Sequence, residues 1–388
     1  MKNNGFSFCI IFTEKCNLGC KYCYVPKRDK TISFEVMDRS IDFIIDKALY
    51  DINIRDREIL NIGVFGGEPL IAFNEIKYFI ERLDQKSKEY SIPQSLDVLL
   101  TTNMTLLTEE MLIWMKQYPY IQLNISGDGP ACTHNKSRPF KDGSPSHSQV
   151  VNGYELFKKH YPLGFDEHHL FHYNRAVFTL CPENVPYLMD ALLEFKRIHN
   201  TRYTTFLCRD DIWTEEDIEI YRKIRKESTD FLIEEFPKSG IMDLLYTGMI
   251  STKKYYQDNP NRKVWACGSC RNHLTITPDG DIYMCYRMYL NHNGPDERFK
   301  LGDVWDGVDY RKPYYGTLKN IHLGHIHACR NCEHGSYCKG PCVASALDST
   351  GSLFKPIPSV CELLKIDHRE SERLYQSLKH NPEFMKLI

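Results

Sequence analysis

Apolar residues in the first 208 positions follow two alternating rhythms. Short, nearly continuous apolar runs read as buried strands: "FSFCIIF" (6–12), "EILNIGVF" (58–65), "SLDVLLTT" (95–102), "YIQLNIS" (120–126), "RAVFTL" (175–180) and "YTTFLC" (203–208). Between them the period changes to that of a helix. "SFEVMDRSIDFIIDKALY" spaces Phe34, Met37, Ile41, Ile44, Ile45 and Ala48 along one face, with Ser33 as N-cap. Further helices are predicted over about 74–90, 108–118 and 150–160, and in "VPYLMDALLEFKRIH". Strand–helix alternation implies parallel strands, because parallel neighbours need a crossover connection. Six such units predict an α/β fold, a partial (β/α)6 TIM-like barrel, with its chemistry at the C-terminal ends of the strands.

Beyond residue 211 the pattern breaks. Residues 212–263, with "TEEDIEIYRKIRKESTDFLIEEF", are charged and helical and read as a bridge between domains. From 264 to 365 glycine, proline and cysteine dominate, and apolar residues are too sparse for a good separate core. Metal ligation is expected to supply the missing cross-links there. Residues 366–388 read as a C-terminal helical tail, leaving 1–211 as the barrel.

Composition narrows the function. The 388 residues are 42% hydrophobic and 26% charged, with a net charge of −2, which argues against a nucleic-acid or anionic-membrane partner. No apolar run reaches transmembrane length and no signal peptide is visible, so a cytoplasmic protein is expected. The 15 cysteines are the informative excess. In a reducing compartment such a number points to metal or redox sites. They are clumped: three lie in "CNLGCKYCY" (16–24) and eight between 267 and 361. Cys9, Cys132, Cys181 and Cys208 stand apart and read mainly as small packed residues, although Cys132 and Cys181 follow strand ends near the expected site.

Three thiolates are one short of a structural zinc site and odd for disulfides. They suit a four-iron cluster that keeps one iron without a protein ligand, with a zinc or packing cluster as the plainer alternative. Cys16, Cys20 and Cys23 follow the first strand, and "FGGEP" (Gly66, Gly67, Glu68, Pro69) ends the second. Two glycines permit close backbone approach to a ligand, and a glutamate offers a carboxylate to an ammonium. An ordinary glycine-rich turn is the alternative.

The C-x3-C-x2-C triad followed by "GGEP" resembles the radical SAM enzymes. The resemblance implies that the open iron chelates S-adenosylmethionine (SAM) and that one electron cleaves its sulfonium to a 5′-deoxyadenosyl radical. It implies cofactor contacts from Tyr22, from Gly66–Pro69 (with Glu68 on the methionine amino group), from Asn103 ending the third strand, and from Ser126 and Asp128 in "SGDGP". Arg138 would clamp the SAM carboxylate with a bidentate guanidinium, and Leu180 would pack on adenine. For each, a strand-end turn or a surface charge is the alternative.

The downstream cysteines run Cys267, Cys270, G280-x4-Cys285, Cys329-x2-Cys332-x5-Cys338-x3-Cys342 and Cys361. Eight is the full ligand complement of two four-iron clusters, against two zinc-ribbon sites. The order resembles the SPASM extension of radical SAM enzymes. The resemblance implies interleaved auxiliary clusters: Cys267, Cys270, Cys285 and Cys342 at one, and Cys329, Cys332, Cys338 and Cys361 at the other. Cys270 is the least secure ligand; without it, one iron of the first cluster would be open to substrate. The expected cofactors are thus SAM and three [4Fe-4S] clusters. Two histidine groups, "HLGHIHAC" (322–329) and "DEHHLFH" (166–172), are lesser candidates for a further metal.

The resemblance implies a peptide or protein substrate and a flavodoxin- or ferredoxin-type electron donor. With the barrel starting near Met1, a leader peptide is expected to dock on another surface or on a separate protein. The leading expectation is oxidative modification of a ribosomally made peptide, most plausibly an intramolecular cross-link. Anaerobic sulfatase maturation to formylglycine is second, and a sugar alcohol is the third class of substrate. An iron–sulfur electron-transfer or scaffold protein is the non-enzymatic reading, and intact "GGEP" speaks against it. In sulfatase maturases the cysteine resembling Cys285 is followed by an aspartate base, whereas here Tyr286 follows. An unperturbed tyrosine is a poor base at neutral pH. Asp210 and Asp211, just after the sixth strand, are the other candidate bases.

Overall fold

The computed structural model describes residues 5–161, 175–199, 203–208, 210–265, 267–290, 294–338, 340 and 342–388. His168, His169 and His172 lie outside them. Six parallel strands form in the expected order: β1 (Gly5–Thr13), β2 (Ile59–Gly66), β3 (Ser95–Thr102), β4 (Ile121–Ser126), β5 (Arg175–Leu180) and β6 (Tyr203–Leu207). The helices among them are α1 (Phe34–Tyr50), α2 (Phe73–Glu89), α3 (Glu109–Met115), α4 (Ala131–Ser137), α5 (His147–His160) and α6 (Leu188–His199). The Ser33 hydroxyl caps α1 by accepting the Val36 N–H. Met37, Ile41, Ile44, Ile45 and Ala48 are buried as expected, but Phe34 is exposed and packs edge-on against Tyr78 instead. Sequence periodicity does not reveal α4, which is too short and too polar to carry an apolar stripe.

The cysteine-rich region does not form a separate layer. Its hairpin, β7 (His273–Ile276) and β8 (Asp281–Tyr283), turns at Gly280 with φ +83°. β7 pairs parallel to β1, and β9 (Lys300–Asp303) and β10 (Gly307–Val308) extend the same sheet. The sheet order is β10-β9-β8-β7-β1-β2-β3-β4-β5-β6. Leu274, Ile276, Ile282, Tyr283 and Met284 therefore join the barrel's own core. The region's sparse apolar residues thus share the barrel's core rather than building one of their own.

The remaining helices are α7 (Glu215–Ser239), α8 (Leu244–Asp258), α9 (Tyr286–Tyr289), α10 (Pro313–Asn320), α11 (His327–Arg330), α12 (Val343–Thr350), α13 (Pro358–Leu378) and α14 (Pro382–Met385). The expected bridge and tail pack together: α7, α8 and α13 form a second core with β5, β6 and α6. The boundary expected at residue 366 falls inside α13, which is one continuous helix carrying Cys361 near its start. At the centre of this core lies a buried polar cluster. Arg225 donates from Nε to Asp367 (2.7 Å) and from Nη1 to Asp243 (3.2 Å). Tyr221 donates to Asp367 (2.8 Å) and Thr205 to Asp243 (2.6 Å).

Candidate active site

The C-terminal ends of β1 to β6 and the front of α9 converge on one face. β1 ends at Thr13, and the loop beyond it carries Cys16, Cys20 and Cys23, all half-buried. Two braces hold this loop. From the β2 side, Gly67 N–H donates to Thr13 O and Glu68 N–H to Lys15 O, both at 2.8 Å. A Cβ on Gly66 (φ +148°) would sit 2.0 Å from Thr13 O, and one on Gly67 would sit 2.1 Å from Lys15 O. The two glycines are therefore required by the triad loop's own backbone, whereas sequence reasoning assigns them to close approach of a ligand.

From the β3 side a closed ring of hydrogen bonds reaches the residue after Cys16. Asn103 Nδ2 donates to Asn17 Oδ1 (2.9 Å), Asn17 Nδ2 to the Thr105 hydroxyl (2.7 Å), and that hydroxyl to Asn103 Oδ1 (2.7 Å). Asn103 thus spends its side chain on positioning the triad loop. Asn17 and Thr105 are missed by sequence reasoning, because a ring closed across 86 to 88 residues leaves no local signal.

Glu68 is buried beneath this loop. Its Oε1 accepts from Leu70 N–H (3.0 Å) and the Thr102 hydroxyl (2.7 Å), and its Oε2 from Asn103 N–H (2.7 Å). Burial raises its carboxyl to about 7, opposed by these hydrogen bonds. A carboxylate has roughly four acceptor positions, so Oε2 keeps capacity for one more donor. Pro69 opens the short turn Pro69–Ala72 that follows. Ser126 closes β4, half-buried. Asp128, fully buried, accepts from the Tyr22 hydroxyl (2.7 Å) and the Ser137 hydroxyl (2.6 Å) and pairs with Arg138 (3.0 Å). Leu180, which ends β5 and is expected at adenine, is wholly buried within the second core.

His134, on α4, accepts the Asp128 N–H at Nδ1 (3.2 Å). Burial holds its imidazole near 3, against 6.5 in the unfolded chain. A depressed histidine contributes stability that is present above pH 6.5 and is lost as pH falls below it. Between pH 6.5 and 5 the loss is about 2 kcal/mol. His134→Asn keeps an acceptor for Asp128 N–H but does not titrate. Urea melts of the variant should show an acid limb shallower by that amount; an unchanged limb would exclude the assignment.

On the opposite wall stands α9. The Tyr286 ring packs on Phe65 (5.0 Å), His273 (5.9 Å) and Tyr24 (6.4 Å, stacked). Burial pushes its phenol up from 10, so it is a still poorer base than sequence suggests. Arg287 lies over the Tyr24 ring (4.1 Å) and donates from Nη2 to Asp210 Oδ1 (2.8 Å) and Ser345 Oγ (3.1 Å). Asp210 is thus held in an ion pair, while Asp211 is exposed and accepts from Ser359 (3.2 Å). Tyr24, Phe65, Arg287 and Ser345 are absent from the sequence-derived site. Each acts through a neighbour from a distant element.

The thiols gather in three groups. Burial, then repulsion from Glu68, Cys20 and Cys23, pushes the Cys16 thiol to about 12. Cys285 is pushed up by burial and by Cys267 and Cys342. Cys361 rises to about 11 through burial and the charges of Cys329, Cys338 and Cys332. Such groups resist becoming bare thiolates together, and they suit a positively charged iron–sulfur core that would neutralise them. Cys270 is placed differently. It is buried with a left-handed backbone (φ +62°) and lies beside Cys267, Lys319, Tyr310 and Tyr315. Cys9, Cys181 and Cys208 are buried as expected of packed residues, but Cys132 is exposed on α4. The His322 and His325 rings lie 3.7 Å apart, with His322 Nδ1 accepting Gly324 N–H.

Comparison with known proteins agrees with this geometry. The radical SAM superfamily pattern matches residues 10–176, and the SPASM iron–sulfur cluster-binding domain matches residues 267–333. The chain is 21% identical over 374 residues to the radical SAM cyclopropyl synthase TigE of Paramaledivibacter caminithermalis, spanning 92% of this chain and 72% of that protein. It is 22% identical over 372 residues to the serine-type anaerobic sulfatase-maturating enzyme of Bacteroides thetaiotaomicron, spanning 86% and 81%. Native anSMEcpe with bound AdoMet and Cp18Cys peptide shares the fold, with a TM-score of 0.73 at 19% identity over 95% of this chain and 98% of that one. Among the described residues no helix is long and apolar enough to cross a membrane. A cysteine loop at the end of β1, a glycine brace from β2 and a cysteine-rich extension of the same sheet make this chain an enzyme of the radical SAM superfamily with a SPASM domain.

Proposed function

We propose that this enzyme oxidatively modifies a ribosomally made peptide by joining two of its residues. In this reading Cys16, Cys20 and Cys23 hold the SAM-site cluster, and the two downstream thiol groups hold auxiliary clusters, three four-iron clusters in all. The bound cofactors supply a 5′-deoxyadenosyl radical and a sink for an electron. Glu68, with its one open acceptor position, receives the methionine ammonium, and Tyr22, Ser126, Asp128 and Arg138 face the rest of SAM. A flavodoxin- or ferredoxin-type protein would deliver the electron, and a leader peptide would dock on another surface or on a separate protein.

The observation that carries the cross-link reading is the wall at α9. Where the sulfatase-maturase pattern has an aspartate base, this chain has Tyr286, a half-buried residue whose phenol desolvation pushes up, followed by Arg287, whose guanidinium holds Asp210. An aldehyde-forming step needs a proton acceptor at that wall, and neither Tyr286 nor the paired Asp210 offers a free one. Tyr24, Phe65 and Tyr286 instead pack together there, and such rings would suit apolar contact with substrate side chains. Peptide-bound anSMEcpe supports a peptide substrate. The sulfatase-maturating relative keeps formylglycine formation as the second reading.

A peptide encoded beside this gene, incubated with reduced enzyme and SAM, should lose two hydrogens, resist fragmentation between the joined residues and stay inert to hydrazines. Formylglycine also involves loss of two hydrogens but gives a hydrazine-reactive aldehyde. A reactive product, or turnover of sulfatase peptides alone, would replace the cross-link with the second reading.

A further inference from the structure

The triad loop has a second backbone partner, the segment 137–141 that begins at the last residue of α4. Gly19 N–H donates to Pro139 O (2.7 Å), Lys21 N–H to Ser137 O (3.0 Å) and Lys141 N–H to Asn17 O (3.1 Å). Leu18 and Phe140 bridge between them. Arg138 sits between two of these bonds, so the pairing delivers its side chain to Cys20. Its Nη1 lies 4.0 Å from Cys20 Sγ, its Nε lies 3.0 Å from Asp128 Oδ1, and its guanidinium covers the Tyr22 ring at 5.3 Å. The Arg138 side chain is 8% exposed and that of Asp128 is 0% exposed. The order is carboxylate, guanidinium, sulfur: a buried dipole whose positive end faces the thiolate.

Sequence reasoning gives Arg138 one task, the SAM carboxylate. A guanidinium has five N–H groups in a fixed fork. With Nε toward Asp128 and Nη1 toward Cys20, Nη2 remains for a carboxylate, so a second task is compatible with the first. One-electron reduction adds a negative charge to a cluster already surrounded by thiolates. A buried cation at one of those sulfurs favours the reduced form, because charge and hydrogen bonding at the sulfurs set the potential of such clusters.

We propose that Arg138 raises the reduction potential of the SAM-site cluster through the Cys20 sulfur, independently of its contact with SAM, and that Asp128 limits the effect. The inference rests on the radical SAM reading of the triad. It is tested on the reconstituted full chain without SAM, by following the cluster's electron paramagnetic resonance signal through a redox titration. The relevant signal is the one that Cys20→Ala removes.

Arg138→Gln should lower the midpoint so that the reduced fraction at fixed potential falls at least tenfold, ~59 mV for one electron. Arg138→Lys keeps the charge and should recover most of that shift. Asp128→Asn, which removes the counter-charge, should move the midpoint the other way. Opposite shifts distinguish electrostatics from a disturbed loop, which would move both variants alike. A wild-type midpoint in Arg138→Gln, or shifts of the same sign in Arg138→Gln and Asp128→Asn, would overturn the proposal. Should Arg138→Gln not assemble the cluster, Asp128→Asn alone decides by the sign of its shift. A wild-type protein with no signal that Cys20→Ala removes would overturn the triad assignment and this inference with it.

Discussion

Replacing Cys20 by alanine should abolish release of 5′-deoxyadenosine from SAM under dithionite, down to the protein-free control. Iron in the anaerobically reconstituted chain should fall from about twelve to about eight per molecule, because the two proposed auxiliary clusters would keep four irons each. The fold should survive, because Cys20 is half-buried on a loop held by backbone bonds from residues 137–141 and by the Asn17–Asn103–Thr105 ring. Substantial nucleoside release by the variant would show that the opening cysteines are not the catalytic ligand set. A wild-type preparation saturating at about four irons, with zinc in the other thiol groups, would remove the auxiliary clusters from the reading.

The largest loss of stability should follow from Arg225→Ala. The guanidinium lies between Asp367 on α13 and Asp243 ahead of α8, with its side chain 1% exposed and both carboxylates fully buried. Truncation leaves two buried carboxylates facing each other without a cation. Breaking a buried pair in this way costs about 3–5 kcal/mol. Its effect should extend to the active site, because Asp243 also accepts from Thr205 on β6, and β6 leads to Asp210. The expected result is a much lower urea midpoint for the loss of α7–α13 packing, with weakened retention of iron at the auxiliary cluster proposed to include Cys361. An unfolding free energy within about 1 kcal/mol of wild type would mean that solvent reaches the cluster and that its burial is not what holds the C-terminal helix.

A radical SAM cyclopropyl synthase and a serine-type anaerobic sulfatase-maturating enzyme match this chain at similar identity. The difference between the readings is concentrated at the wall formed by Tyr24, Tyr286, Arg287 and Asp210. Asp210 is the position where that difference can be read chemically. An aspartate released from Arg287 would be a candidate proton acceptor, whereas one that stays paired orients the arginine against Tyr24 and Ser345.

The sequence by itself determined the repeating strand–helix order, the parallel sheet, the triad at the end of the first strand and the grouping of the downstream cysteines. These are local properties: period, turn chemistry and ligand spacing are written within a few consecutive residues. It also marked Glu68, Asp128 and Arg138, because their motifs are short and close to strand ends. Only the tertiary structure decided that β7 continues the sheet beside β1, that the expected bridge and tail make a second core around Arg225, and that Leu180 is interior. It alone placed Asn17, Thr105, Tyr24 and Arg287 at the site and showed that Gly66 and Gly67 make room for the triad loop. Each of these depends on partners tens to hundreds of residues apart, and what a side chain can do is set by the buried neighbour it meets, which no local pattern encodes.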